Sequence, residues 1–265
     1  MPIITKITVQ QKKSDRYNIF LDEKYAFSVD EDVLIKHQLK KGMDLDEFSL
    51  AEIGYEDEIR KAYNMAIQYL ARRMRSEKEV RTYLAEKEVD EVIIQEVIHK
   101  LIEYTFINDE EFALAFVRTQ LNTTDKGKAT VKKELKEKGI SETLIEQALQ
   151  EYPDEDELNK AIILCEKFVS KNIQDSTRVM KQKLEQQLLR KGFSHQTIQA
   201  AIAETEMEKA EEEELTVLRK HAEKAHRKFS NLSEFEYEQK MKQTLFRKGF
   251  NLDLIEKVLE EYKAD

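Results

Sequence analysis

The fold is decided by Leu188-Leu189-Arg190-Lys191-Gly192-Phe193-Ser194 and its near copy Leu245-Phe246-Arg247-Lys248-Gly249-Phe250-Asn251. A looser copy runs Leu135-Lys136-Glu137-Lys138-Gly139-Ile140-Ser141, and a fourth runs Leu84-Ala85-Glu86-Lys87-Glu88-Val89-Asp90. The aligned leucines are separated by 51, 53 and 57 residues. Four positions before them stand Val80, Val131, Leu184 and Met241. Six past the Gly/Glu column stand Ile94, Ile145, Ile198 and Ile255, followed four later by Ile98, Leu149, Ile202 and Leu259.

Each column has a physical reason. A glycine just past a helix takes a left-handed conformation without a Cβ penalty. The apolar residue after it can meet the leucine at C3, the hydrophobic partner of a Schellman ending. The Asp, Ser or Asn that follows can accept from the first free amides of the next helix. Each copy therefore reads as a helix, a one-residue corner and a second helix. Glu88 departs from the pattern. A left-handed residue there would cost about 1–2 kcal/mol, which leaves room for a first corner of different construction.

A further helix precedes each pair. The periodicity predicts helices over 57–74, after Asn108, over 155–171 and over 207–228. Asn108 can cap the second of these, with Ile107 stapled to Phe112. Ser76 and Glu79 form a capping box signature. The first fifty residues differ: Ile3–Val9, Tyr17–Leu21 and Tyr25–Val29 read as short strands, with a turn at Asp22-Glu23-Lys24. Short helical turns, broken near Gly42, are expected over 30–53. The fold class is mostly α: about four tandem three-helix modules (55–104, 105–152, 153–205, 206–265), forming an elongated curved array behind a small β-rich segment (1–54).

The chain has 265 residues, 37% of them charged, a formal net charge of -9, six Gly, two Pro and one Cys. The acidity excludes a simple polycation for nucleic acid. One cysteine excludes an internal disulfide framework and suits a reducing compartment. The first residues lack the apolar core of a signal peptide. No run reaches the roughly 18 apolar residues of a membrane span. A cytoplasmic protein, without membrane association, is expected.

No catalytic constellation, metal spacing or cofactor motif is present, so no enzyme is expected. His221 and His226 miss the i, i+4 spacing of a helical metal pair. Gly127 stands alone between lysines and is no phosphate loop. Cys165 lies in an apolar stripe and reads as core. Asp154-Glu155-Asp156-Glu157 reads as a solvated helix start, and Glu211–Glu214 as acidic residues at a helix's positive end.

The basic residues cluster. Arg72, Arg73, Arg75 and Arg81 flank the first junction. Lys126, Lys128, Lys132, Lys133, Lys136 and Lys138 crowd the middle helix of the second module. Arg178, Lys181, Lys183, Arg190 and Lys191 fall on the third, and Lys240, Lys242, Arg247 and Lys248 on the fourth. A basic stripe facing phosphates or an acidic protein groove is one reading. Composition by itself slightly favours a charged surface that needs no partner. There is no aromatic interleaving of the kind that stacks single-stranded bases.

Residues 69–140 resemble the RecX family of recombination regulators. The resemblance rests on Leu70-Ala71-Arg72-Arg73, Ser76, Glu79-Val80-Arg81 and Leu84, and on Ile107-Asn108-Asp109, Phe112-Ala113 and Val117-Arg118. Glu134-Leu135 with Gly139-Ile140 complete it. Modules three and four match mainly through the corner. Glu88 stands in place of the family's usual glycine, Thr105-Phe106 in place of Gly-Tyr, and Gln120 where a basic residue is common. The resemblance implies a monomeric, non-enzymatic partner of the RecA recombinase filament. Such a protein lodges in the groove of the filament on single-stranded DNA, touching that DNA indirectly or weakly. It restrains ATP hydrolysis, filament growth and strand exchange. The basic residues named above, from Arg72 to Lys191, are the candidate contacts. A directly DNA-binding helical module and a general α-solenoid scaffold are the alternatives.

Overall fold

The computed structural model describes residues 1–11, 14–205 and 211–264. Among these the chain forms three strands and thirteen α-helices. It divides into two compact units, Met1–Ala113 with Glu137–Leu144, and Leu114–Lys136 with Ile145–Asp265.

In the first unit, β1 (Ile4–Val9), β2 (Arg16–Leu21) and β3 (Lys24–Asp30) form an antiparallel sheet in that order. Leu21 pairs with Lys24 across the tight turn. Asp22 and Glu23 both take positive φ, the geometry a two-residue hairpin needs to match strand twist. Helix α1 (Glu31–Lys36) follows directly. Ile4, Ile19, Val29, Val33, Leu39, Leu45 and Ile53 make a small core beneath the sheet.

Ile53 belongs to α2, which runs Glu47–Leu70 as one helix. The expected short turns up to 53 and a helix from 57 are thus replaced, from Glu47 onward, by a continuous element. Asp46 caps it, accepting from the Ser49 amide at 2.7 Å. One helix serves two cores: Ile53 faces the sheet, while Ile59, Ala62 and Ala66 face α3 (Glu77–Glu86) and α4 (Glu91–Glu103). A single apolar stripe covers both partners, so periodicity does not mark where one core ends.

The sheet is fastened to α2 by a buried pair. Arg16 reaches Asp57 at 2.8 Å, and Asp57 also accepts the Asp30 amide at 2.8 Å. Burial alone would raise the Asp57 carboxyl. Arg16, Lys61 and the amide outweigh it and hold the group below its usual range.

Next come α5 (Asp109–Thr123), α6 (Lys128–Glu137) and α7 (Glu142–Ala148). In the second unit α8 (Asp154–Lys171), α9 (Thr177–Lys191) and α10 (His195–Glu204) pack around Ala161, Cys165, Met180, Leu184, Leu188, Phe193 and Ile198. Helices α11 (Glu211–Phe229), α12 (Glu234–Arg247) and α13 (Leu252–Ala264) enclose Leu218, Ala222, Met241, Leu245, Phe250 and Ile255. The first four residues of the predicted 207–228 helix lie outside the described residues.

The repeat columns are the cores. Val80, Val131, Leu184 and Met241 are buried, as are Leu84, Leu135, Leu188, Leu245 and the four aligned isoleucines. The first, third and fourth corners are Schellman endings. The Val89, Phe193 and Phe250 amides donate to the carbonyls of Leu84, Leu188 and Leu245 at 3.2, 3.2 and 3.4 Å. Gly139, Gly192 and Gly249 take φ of 84°, 86° and 87°. The first corner is built the same way after all: Glu88 sits at φ 60° and its amide donates to Ala85 at 2.9 Å. Thr105, after α4, also takes a left-handed φ of 61°. The predicted caps form as well. Asp90, Ser141, Ser194 and Asn251 each accept an amide of the following helix, and Asn108 accepts those of Glu110 and Glu111.

Candidate functional site

The corners do more than turn the chain. Each of the last three seats its final carbonyls against the start of an earlier middle helix. In the first unit, the Ser76 hydroxyl donates to the Lys138 carbonyl at 2.8 Å. In the second, the Ser176 hydroxyl donates to the Lys248 carbonyl at 2.6 Å. There too, the Gly127 and Ala129 amides donate to the carbonyls of Lys191 and Gly192 at 2.9 and 3.1 Å. One helix's unsatisfied C-terminal carbonyls thus meet another helix's N-terminal donors.

The approach is close enough to exclude a side chain. A Cβ on Gly139 would lie 2.7 Å from Lys78 Cβ, and one on Gly249 2.6 Å from Ser176 Oγ. A Cβ on Gly192 would overlap the Thr130 backbone and hydroxyl. The glycines are required twice, by φ and by contact. Gly127 is required once: its Cβ would overlap the Gly192 carbonyl. Glu88, whose side chain is exposed, meets the first demand at a cost and escapes the second.

A carboxylate completes each joint. Asp109 accepts the Glu77 amide at 2.8 Å, Glu157 the Lys128 amide at 2.8 Å, and Glu214 the Thr177 amide at 3.2 Å. Each acceptor sits in the first turn of the next module's first helix. The donor is the first amide of a middle helix, where negative charge is favoured. The expected solvated helix start at 154–157 is therefore corrected: Glu157 is buried, because it is this acceptor. Asp57 holds the Asp30 amide in the same manner, so the β-rich segment is attached to the first module by a related device.

Glu79 is the electrostatic centre of the first joint. It accepts from Arg73 at 2.8 Å, Lys138 at 3.1 Å and the Ser76 amide at 3.2 Å. Burial opposes its charge, but these donors outweigh it and hold the carboxyl at about 2. The nearby Asp109 is pushed the other way, by burial first and then by the charges of Glu77 and Glu79.

Many of the sequence-selected basic residues have such internal work. In the first unit Arg73 and Lys138 bind Glu79, Arg81 binds Glu77 at 2.7 Å, and Arg75 lies over the Tyr69 ring at 4.0 Å. In the second unit Lys126 binds Glu134 at 2.6 Å, Lys128 binds Asp154, Lys183 binds Asp175 at 2.7 Å, and Lys191 stands 3.7 Å from Asp125. Arg178 lies 5.9 Å from the Phe246 ring. Lys132 and Lys181 are half-buried, whereas Lys133 and Lys136 are exposed. Arg72 and Arg190 are exposed too, and Arg190 donates to the Gln186 carbonyl at 3.3 Å. The sequence signal for this internal work is uneven: Glu77 stands four residues before Arg81 on the same helix, whereas the partners of Lys138 and Lys128, Glu79 and Asp154, lie on other helices.

Sequence reasoning also missed a lysine cap. Lys160 reaches the Thr124 carbonyl at 2.8 Å, beside the buried Tyr152, whose hydroxyl donates to the Lys126 carbonyl at 2.9 Å. Burial pushes the lysine down and the tyrosine up. No helix among the described residues is long and apolar enough to cross a membrane.

Fold and joints together define a tandem three-helix repeat protein with a β-rich segment fixed to its first module. Such repeats build extended interaction surfaces rather than enclosed reaction sites. Family models agree in detail. They match the RecX N-terminal domain over residues 2–46, the first three-helix domain over 62–101 and the second over 108–149. The third three-helix domain matches twice, over 154–202 and 211–259. Regulatory protein RecX of Bacillus subtilis (strain 168) is 48% identical over 261 residues, 98% of this chain and 99% of that one. Its counterpart in Bacillus pumilus (strain SAFR-032) is likewise 48% identical, over the same shares of both chains. A crystal structure of regulatory protein RecX matches with a TM-score of 0.69 at 36% identity, covering 77% of this chain and all of that one. The RecX structure from Lactobacillus salivarius matches at 0.54 and 40% identity, over 56% of this chain and 97% of that one. The chain belongs to the RecX family of regulatory proteins.

Proposed function

We propose that this protein is a non-enzymatic modulator, mainly a negative regulator, of the RecA recombinase. It acts in the cytoplasm as a monomer. It binds the groove of the RecA filament on single-stranded DNA and restrains ATP hydrolysis, filament extension and strand exchange. It thereby damps recombination, DNA repair by that route and the SOS response. The observation that carries this reading is family membership along the whole chain, with the N-terminal and the first, second and third three-helix domains matched in order.

The physical features fit the task. A repeat array offers many shallow contacts, each too weak to hold alone, which suits a partner that is itself a repeating polymer. The contact surface we propose draws on the basic residues of the middle helices and of the turn after α2. Arg72, Arg178 and Arg190 come first, because they are exposed without an ion pair among the described residues and cost little to recruit. Net acidity makes any direct duplex binding weak and salt-dependent.

The test is single-strand-dependent ATP hydrolysis by the cognate recombinase as this protein is titrated in. A fall at substoichiometric amounts supports blocked extension, and a fall only near saturation supports occupancy along the groove. Unchanged hydrolysis, together with no retention on filaments, would overturn the reading in favour of a general scaffold. Tight binding to bare duplex at physiological salt would favour a direct DNA-binding module instead.

A further inference from the structure

Tyr69 on α2 and Tyr83 on α3 lie face to face, ring centroids 4.0 Å apart and planes 3° from parallel. The Arg75 guanidinium covers the other face of Tyr69, 4.0 Å from its centroid. The Lys87 ammonium stands 5.7 Å from the Tyr83 centroid. The order is Arg75, Tyr69, Tyr83, Lys87. Two closely overlapped parallel rings repel through their negative faces. A cation at each end offsets that repulsion.

The two ends differ. Arg75 is half-buried, with its Nε shielded from solvent and without a hydrogen-bond partner, so that end is fixed. Lys87 is exposed at the end of α3, and its ring contact lies near the outer limit of the cation–π range. The Tyr83 face is therefore covered by a flexible side chain that is held weakly.

We propose that Tyr83 is a stacking platform for a base of single-stranded DNA, with Lys87 swinging off the ring to meet an adjacent phosphate. A displaced ammonium needs an anion close to the group that displaced it. A polynucleotide supplies one beside every base, which a protein aromatic does not. Arg72 is exposed in the turn after α2 and Glu79 is engaged by Arg73 and Lys138, while Glu86 and Glu88 stand exposed on either side of Lys87, so the base contact itself and not a broad basic field must carry the affinity. A duplex hides its base faces, so the ligand is a single strand. No pattern along the chain hints at this, because Tyr69 and Tyr83 come from different helices. The contact adds direct DNA binding to the function above and does not depend on the recombinase.

The test is fluorescence anisotropy of labelled oligothymidylate at low salt, with no recombinase present. The proteins are wild type, Tyr83→Leu, Tyr83→Phe and Lys87→Gln, and an abasic strand of equal length is the second probe. Tyr83→Leu is expected to weaken oligothymidylate binding by at least about fivefold, with Tyr83→Phe close to wild type. The abasic strand should bind wild type as weakly as oligothymidylate binds Tyr83→Leu. Equal affinity of wild type for both strands would mean phosphate contacts only and would overturn the proposal. So would wild-type affinity in Tyr83→Leu, or no binding by wild type at all. If circular dichroism shows that Tyr83→Leu does not fold, the abasic comparison decides alone. These outcomes leave the recombinase reading untouched, since that is tested on filaments.

Discussion

Replacing Gly192 by alanine should damage the second unit far more than a surface alanine normally does. Two terms contribute. At φ 86° a Cβ costs about 1–2 kcal/mol by itself. The same Cβ would also overlap the Thr130 amide nitrogen and hydroxyl, and lie 2.9 Å from Thr130 Cβ. Relieving that overlap must push the corner away from α6 and stretch the Gly127–Lys191 and Ala129–Gly192 hydrogen bonds. Each bond is worth about 0.5–1.5 kcal/mol net. The sum is about 2–5 kcal/mol. Gly42 provides the control, because it shares φ 86° and nothing lies within 4 Å of where its Cβ would stand. Gly42→Ala should cost only the conformational part. The assay is urea denaturation followed by far-UV circular dichroism. Labelling of the Cys165 thiol, buried in the core of α8–α10, localises the loss to that module. Gly192→Ala should accelerate labelling under native conditions, and Gly42→Ala should not. Equal losses for the two alanines would refute the joint as a steric requirement and leave only the left-handed backbone.

Further outcomes follow from the same geometry. Glu88→Gly and Thr105→Gly remove left-handed strain, so each should raise the unfolding free energy by up to about 1 kcal/mol after the flexibility of glycine is counted, read as a higher urea midpoint; a lower midpoint would contradict the strain. The Glu79 carboxyl is held at about 2, below its ordinary 4.5, so its contribution is complete above pH 4.5 and is lost as pH falls toward 2. Glu79→Gln should remove that part of the acid transition, read by circular dichroism against pH. Asp109 is shifted upward, so its ionised form is the less favoured one in the folded state. Asp109→Asn should then be tolerated at neutral pH, since its amide oxygen still accepts from Glu77, whereas Asp109→Ala should cost about 1 kcal/mol. Reversing Arg72, Arg178 and Arg190 together should weaken retention on recombinase filaments while the circular dichroism spectrum stays the same.

The modules themselves were legible from residue order alone, because everything that builds them is local. A leucine at C3, a glycine at C′, an apolar C″ and an Asp, Ser or Asn cap all act within one helix–corner–helix, so their spacing was sufficient to read the module and its core. The three strands were legible for the same reason, since their turn and alternation are short-range. The joints were not legible. Ser76 meets Lys138 across 62 residues and Ser176 meets Lys248 across 72, and no periodicity links such positions. The second role of the glycines, the burial of Glu157 and the engagement of Arg73 and Lys138 by Glu79 all depend on those joints. The start of α2 at Glu47 is capped locally by Asp46, but which of its residues face the sheet and which face α3 and α4 depends on tertiary structure, because one apolar stripe serves two cores. Helix ends and helix faces are fixed by neighbouring residues along the chain. Which end rests on which other helix is fixed by packing and by the need to satisfy terminal amides and carbonyls, and that was decided only when the modules came together.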